Sequence, residues 1–400
     1  MNDGKGQSLG ELVTLVRGNT YKSRLLGKSG PVLLGLASIQ RHGGFRDDKL
    51  KCYAGPSKQE HLIGPGELFV SLKDVTQSAE LLGAVAMVPP SVGEGRLTQD
   101  TVHLKMTYTQ PSKSFIYWSL RTPQYRRYCL ACSMGTTNLS LSRNDFLDWR
   151  LPEVNNSSLT LVSLLEDLEA KIDLLKRQNN TLQGMAETLF RQWFIEEAQE
   201  DWETWLSGDL MNFLDPHPSH RAPAETNDNP IPFLGIGDIS EGGVIDRVKS
   251  RGVAFEISEE QKDNYTLLKE SVGLGRVGTV GKVVRLHRRH LPFALSPTLC
   301  VVNPLHGIRH WHLYLLRSRS FQGELLQLNS GSTRPSVGLK NLRQIEIALP
   351  SIDRLKEFDD TIDQIEERVN LNLREIDGLV SKRNTLLPKL MSGEVRVQMD

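Results

Sequence analysis

The stretch LTLVSLLEDLEAKIDLLKRQNNTLQGMAETLFRQWF, Leu159 to Phe194, carries its apolar side chains in alternating steps of four and three. Leu161, Leu165, Leu168, Ile172 and Leu175, then Leu182, Ala186, Leu189 and Trp193, line one narrow stripe of a helix. That is the spacing of a coiled-coil seam, which needs a partner helix. Only Asn179 interrupts it. The partner stands near the end of the chain: Phe358, Ile362, Ile365, Val369, then Asn372, then Ile376, Leu379, Leu386 and Leu390. Phe358 and Leu379 each follow their counterparts, Leu161 and Leu182, by 197 residues, so the second copy keeps the register of the first.

Working outward, what precedes each helix is also duplicated. Leu33-Leu-Gly-Leu-Ala-Ser-Ile39 is echoed by Pro232-Phe-Leu-Gly-Ile-Gly-Asp-Ile-Ser240, and Gly43-Gly44 by Gly242-Gly243. Gly135-Thr-Thr-Asn-Leu-Ser140 returns as Gly331-Ser-Thr-Arg-Pro-Ser336, and Leu151-Pro152 as Leu349-Pro350. Short apolar runs punctuated by glycine and proline, such as Glu67-Leu-Phe-Val-Ser-Leu72 and Gly83-Ala-Val-Ala-Met-Val-Pro-Pro90, read as strands. Ser114 to Arg127 reads as helix interrupted at Pro123, and Ser157 or Ser158 is the expected cap of the first long helix. The reading is an α+β chain with an internal two-fold repeat. Two similar mixed α/β globules are separated by two long antiparallel helices that form a coiled coil. Its boundaries are 1–156 and 197–352 for the globules, with 157–196 and 353–400 for the helices and tail.

Composition bounds the function. Four hundred residues at 38% hydrophobic content suffice for two or three cores. No apolar run approaches the ~18–20 residues of a membrane span, and no signal peptide is visible. Four cysteines make no disulfide framework, so a reducing cytoplasm is expected. The net charge of zero averages unlike parts: +6 over 1–158, −6 over 159–203, +3 over 204–350 and −3 over 351–400. Mildly basic globules alternate with acidic helices.

Several motifs invite sharper readings that their context does not support. Gly273-Leu-Gly-Arg-Val-Gly278 fits the dinucleotide pattern, but the residues after it read as a strand where a helix is required. A glycine-rich hairpin presenting Arg276 and Lys282 is expected instead. Cys129-Leu-Ala-Cys132 lacks the second pair of a structural zinc site. His287, His290, His306, His310 and His312 have basic neighbours and no His-Glu-x-x-His helix, so solvated or DNA-facing histidines are expected rather than a metal site. Neither an Asn/Asp-Pro-Pro-aromatic methylation tetrapeptide nor a compact carboxylate–lysine nuclease cluster is present. The chain reads as non-catalytic alone.

These features together resemble the DNA-specificity subunits of type I restriction-modification enzymes. The most specific stretches are Met185-Ala-Glu-Thr-Leu-Phe-Arg-Gln-Trp-Phe194 and Asn384-Thr-Leu-Leu-Pro-Lys-Leu-Met-Ser-Gly-Glu-Val-Arg-Val397, which close the two helices. Pro232 to Gly243 and Gly278-Thr-Val-Gly-Lys282 look like a second target-recognition domain, and Gly66 to Gln77 like a first; Ile195-Glu-Glu-Ala departs from many relatives. The resemblance implies two domains that each read half of a split, asymmetric double-stranded DNA site. It also implies methyltransferase (modification) subunits, two of them, docked on the helices, and restriction-translocation subunits reached through them. S-adenosylmethionine, ATP and magnesium would belong to those partners, leaving this chain without cofactor or metal. The competing readings are a self-sufficient methyltransferase or nuclease with divergent motifs, and a coiled-coil adaptor that binds only proteins.

The physics agrees with a ruler between two readers. About 30 helical residues extend ~45 Å, against ~34–36 Å for one turn of DNA. Base edges are read by Arg, Lys, Asn, Gln, Ser or Thr on loops. By loop context the candidates are Arg41, His42, Lys73, Thr136, Thr137 and Asn138 in the first globule. In the second they are Arg247, Arg276, Thr279, Lys282, Thr333 and Arg334. For the helices, the antiparallel register that joins Leu161 to Leu390 also joins Ile172 to Leu379, Leu175 to Ile376, Leu182 to Val369, Leu189 to Ile362 and Trp193 to Phe358. It sets Asn179 opposite Asn372 as a register pair, whereas helical drift would instead turn both outward. Arg383 falls opposite Leu168 and is expected to snorkel away.

Overall fold

The computed structural model describes residues 6–27, 29–47, 50–75, 79–136, 138–219, 221–245, 247, 250–329 and 335–392. It divides into two compact units, one formed by Met1–Lys176 with Leu373–Asp400 and the other by Arg177–Asn372. Each unit therefore owns one globule and half of each long helix. Those helices run Asn156–Arg191 and Ile352–Leu386. The first is capped two or three residues earlier than expected: the Asn155 side chain accepts from Ser158 N at 2.9 Å, and Ser158 Oγ accepts from Asn155 N at 3.0 Å. A short carboxamide reaches the orphan amides that a serine inside the helix cannot.

The two globules share one plan. In the first, an antiparallel sheet orders its strands Val13–Arg17, Thr101–Met106, Leu68–Ser71 and Val85–Met87. In the second, the order is Met211–Leu214, Leu299–Pro304, Val272–Gly275 and Val283–Arg285. Register is kept as well as order. Val13 pairs with Met106, and Met211 with Pro304, each partner lying 198 residues on. Each globule also has a three-stranded sheet containing one parallel pair, Val32–Leu34 with Gly95–Leu97 and Phe233–Leu234 with Ala294–Leu295. The helical expectation near Pro123 resolves into Lys113–Ser119 and Pro123–Ala131, with Thr122 as cap and the proline in the first turn, where its missing N–H costs nothing.

The apolar stripe is what joins helix to globule. In the first unit Leu161, Val162, Leu165, Leu387 and Leu390 share a core with Phe115, Trp118 and Trp149. In the second, Ala186, Phe190, Phe194, Phe358 and Ile362 share one with Phe213, Trp311 and Tyr314. Phe358 packs edge-on to Phe194 at 5.0 Å and to Trp193 at 5.9 Å. Burying one such ring stabilises by roughly 1.5–3 kcal/mol. An exposed pair such as Lys171–Glu375, at 3.3 Å, contributes about 0–1 kcal/mol, so the stripe decides the pairing. Within each unit the two helical segments run antiparallel, low numbers against high. Arg383 does not snorkel into solvent. It is 18% exposed and donates to Glu169 at 2.8 Å. Asn179 and Asn372 are both buried, 6% and 1% exposed, and Asn372 Nδ2 donates to Asn179 Oδ1 at 2.8 Å.

A second repeated feature fixes each globule on its helix. In the first unit Tyr117 OH accepts from Arg121 at 2.7 Å, and Arg121 lies 3.9 Å from Glu169. In the second, Tyr314 OH donates to Glu366 at 3.3 Å, and Arg285 donates to the same carboxylate. Tyr314 and Glu366 each stand 197 residues after Tyr117 and Glu169. Burial pushes the Glu169 carboxyl up, but Arg121 and Arg383 outweigh it and hold it below the usual range. A carboxylate paired with a guanidinium that also meets a phenol is thus part of the repeat. Among the described residues no helix is long and apolar enough to cross a membrane.

Candidate nucleic-acid interface

The loop candidates of the first globule fall in two places. Arg41 makes a two-pronged pair with Glu80, at 3.1 and 3.2 Å, and stays 39% exposed. His42 follows it with φ +62°, its backbone N–H donating to Glu80 O at 2.9 Å. Burial, then the nearby Arg126 charge, lowers its imidazole below the ordinary value. The second place is the Gly-Thr loop. Gly135 has φ +102°, and a Cβ there would meet Asn138 O at 2.4 Å, so only glycine closes this turn. Thr136 and Asn138 are exposed on it, while Thr137 lies outside the described residues. Beneath the loop, Lys73 and Asp74 pair with Ser140 and Leu139, which brings exposed Lys73 to the loop's base.

In the second globule the hairpin does not present two cations. Arg276 is 8% exposed and donates to Asp215 at 2.6 Å. Lys282 turns its ammonium inward to the carbonyls of Ile236 and Ile239, at 2.9 and 2.7 Å. Both residues hold the fold together, which corrects the expected presentation. The glycines have a packing reason: a Cβ at Gly275 would stand 2.2 Å from Thr279 O. Thr279 is exposed, and Arg247, also exposed, donates to His290 O at 2.8 Å. Thr333 and Arg334 lie outside the described residues.

Three of the five histidines depart from the expected solvated placement, whereas His306 is exposed. His312 is 1% exposed, with its ring on Glu270 O at 3.0 Å, and burial lowers it to about 3. His310 is buried and reaches Asp363 at 2.8 Å. His287 contacts Gly242 O at 3.1 Å, and burial lowers it to about 4. For the His312 and His287 rings, loss of water around the imidazole disfavours the charged form. Among the described residues no group of three or more His, Cys, Asp or Glu could hold a metal ion.

Sequence reasoning missed a cluster beside the first globule's Gly-Thr loop. Arg17, Lys73 and Arg143 line a pocket of about 150 Å³ together with Gln99, Asp100 and Ser140. Arg17 Nε donates to Gln99 O at 2.9 Å, and Lys73 lies 4.0 Å from Asp100. The three cations are up to 126 residues apart in the chain, and no periodicity joins them.

Known proteins resemble parts of this chain in sequence. Residues 199–379 match the type I restriction modification DNA specificity domain. The type I restriction enzyme MjaIX specificity subunit of Methanocaldococcus jannaschii is 22% identical over 306 residues, 71% of this chain and 69% of that one. The EcoBI specificity subunit of Escherichia coli is 25% identical over 212 residues, 50% and 43% of the two chains. Among solved structures, a type I restriction-modification S subunit from M. genitalium aligns over 96% of this chain and 95% of its own, at 14% identity and a TM-score of 0.48. The matched residues span the second globule and most of the helix Ile352–Leu386, and the first globule repeats the order and register of its four-stranded sheet. Residues 199–379 thus carry the likeness of a type I restriction modification DNA specificity domain, and the chain is similar to type I specificity subunits.

Proposed function

We propose that each globule reads one half of a bipartite, asymmetric DNA site. In this reading the long helices set the spacing between halves and dock the modification subunits. One observation carries it: two globules whose four-stranded sheets share strand order and register differ at equivalent surface positions. A shared frame with unlike faces suits two readers of unlike half-sites. The chain itself supplies recognition. S-adenosylmethionine, ATP and magnesium belong to the modification and restriction subunits, and catalysis resides there.

The exposed positions favoured for base reading are Arg41, His42, Thr136 and Asn138 in the first globule, with Arg247 and Thr279 in the second. Polar side chains on loops match base-edge donors and acceptors. The modest basic charge of the globules, +6 and +3 over their segments, supports weak binding by the chain alone and tighter binding with partners. The test is methylome sequencing of cells with and without the chain. A split, asymmetric methylated motif that vanishes on deletion is the expected result; a motif that persists, or one that is contiguous, overturns the reading.

A further inference from the structure

The equivalence of the two globules identifies what is peculiar to one of them. Strand registers align Arg17 with Asp215 and Asp100 with Thr298, both 198 residues apart. Phe69 and Gly273 face the same strand position, opposite His103 and its equivalent Val301, which aligns Leu72 with Arg276 and Lys73 with Val277. The backbone bond from Leu141 N to Leu72 O, 2.9 Å, recurs as Val337 N to Arg276 O, 2.9 Å, so Arg143 aligns with Leu339. At this one place the first globule carries Arg17, Lys73 and Arg143 around an open pocket. The second globule carries the Asp215–Arg276 ion pair, Val277 and Leu339.

The fold therefore does not need the three cations, because the second globule builds the same frame without them. Arg17, Lys73 and Arg143 are all exposed. Among the described residues Arg17 and Arg143 form no ion pair, and Lys73 pairs only with Asp100, at a loose 4.0 Å. Three cations against one carboxylate, at the foot of a loop whose turn demands glycine, form a site for an anion.

We propose that this pocket takes one backbone phosphate of duplex DNA, and that the first globule alone grips DNA in this way. The inference rests on the DNA-reading role proposed above. Arg17, with Nε fixed on Gln99 O, turns its terminal nitrogens to the anion. Lys73 and Arg143 close on it from the strand below the loop and from the first residue of the helix Arg143–Leu147. Such an anchor positions the globule and carries no sequence information of its own, so base choice is left to the loop beside it.

The test uses the full chain with its modification subunits, comparing wild type with Arg17→Gln/Lys73→Gln/Arg143→Gln by fluorescence anisotropy over a salt series. Affinity is expected to fall about tenfold for cognate and random duplexes alike, as when a charge-assisted hydrogen bond is removed. The slope of log affinity against log salt should flatten by about 0.9, the value for one phosphate no longer neutralised. A methylphosphonate walked along the duplex should weaken wild type at one position and leave the variant indifferent there. Wild-type affinity and slope in the variant would overturn the inference and leave DNA reading standing. Inorganic phosphate bound by wild type and not by the variant, with DNA affinity and salt slope the same in both, would assign the pocket to free phosphate and overturn it too. Failure of wild type to bind any duplex would bring down the DNA-reading role itself.

Discussion

Asn372 donates a 2.8 Å hydrogen bond to Asn179 inside the helical seam, and both side chains are buried. Each satisfies the other only in this register; a slip by one turn would leave two buried amides without partners, at about 1–3 kcal/mol each. Replacing both with leucine should raise the melting temperature and broaden the range of half-site spacings that are methylated. Replacing only Asn372 should destabilise, since Asn179 is then stranded. A double variant with unchanged spacing preference would show that the pair sets no register.

The Arg285–Glu366 pair predicts a different response. Both side chains are about nine-tenths buried. Glu366→Ala strands a buried guanidinium and should cost about 3–5 kcal/mol in urea unfolding. Arg285→Met with Glu366→Leu removes both charges and should recover most of that loss. If the single and double variants lose the same amount, the charges are not coupled.

Acid should loosen the second unit well above the carboxylate range. His312 is lowered to about 3 by burial, whereas in the unfolded chain it titrates near 6.5. Between those values the unfolded state binds a proton that the folded state refuses. Stability therefore falls as pH drops below about 6.5, by at most about 1.4 kcal/mol per unit from this ring. His312→Phe should flatten the slope between pH 6.5 and 5; an unaltered slope would point to another group.

Gly135→Val should distort the first globule's loop while sparing its core. The residue would need φ near +102° and would press on Asn138 O. Recognition of one half-site should weaken, with melting temperature within a few degrees of wild type. A large fall in melting temperature would mean that the loop is part of the fold rather than carried by it.

What the sequence made legible was whatever depends on period and repetition. The stripe from Leu161 to Trp193 is a local property of a helix, and its copy 197 residues later announced both the duplication and the pairing of Asn179 with Asn372. Side chains whose fate depends on distant neighbours were not legible in this way. Arg276 looked like a loop cation, but Asp215, 61 residues earlier, neutralises it. His312 sits among basic residues in sequence and in the interior in space. The Arg17–Lys73–Arg143 cluster joins three strand and helix ends that only the sheet brings together.

The division of the two long helices between units has a consequence for how the protein is made. The second unit is one uninterrupted stretch, Arg177 to Asn372, while the first is assembled from Met1–Lys176 and Leu373–Asp400. Leu387 and Leu390 complete a core whose other members were synthesised more than 200 residues earlier. On the ribosome, then, the globule that emerges first is finished last: it must wait, its apolar helix face uncovered, while the later one closes on its own.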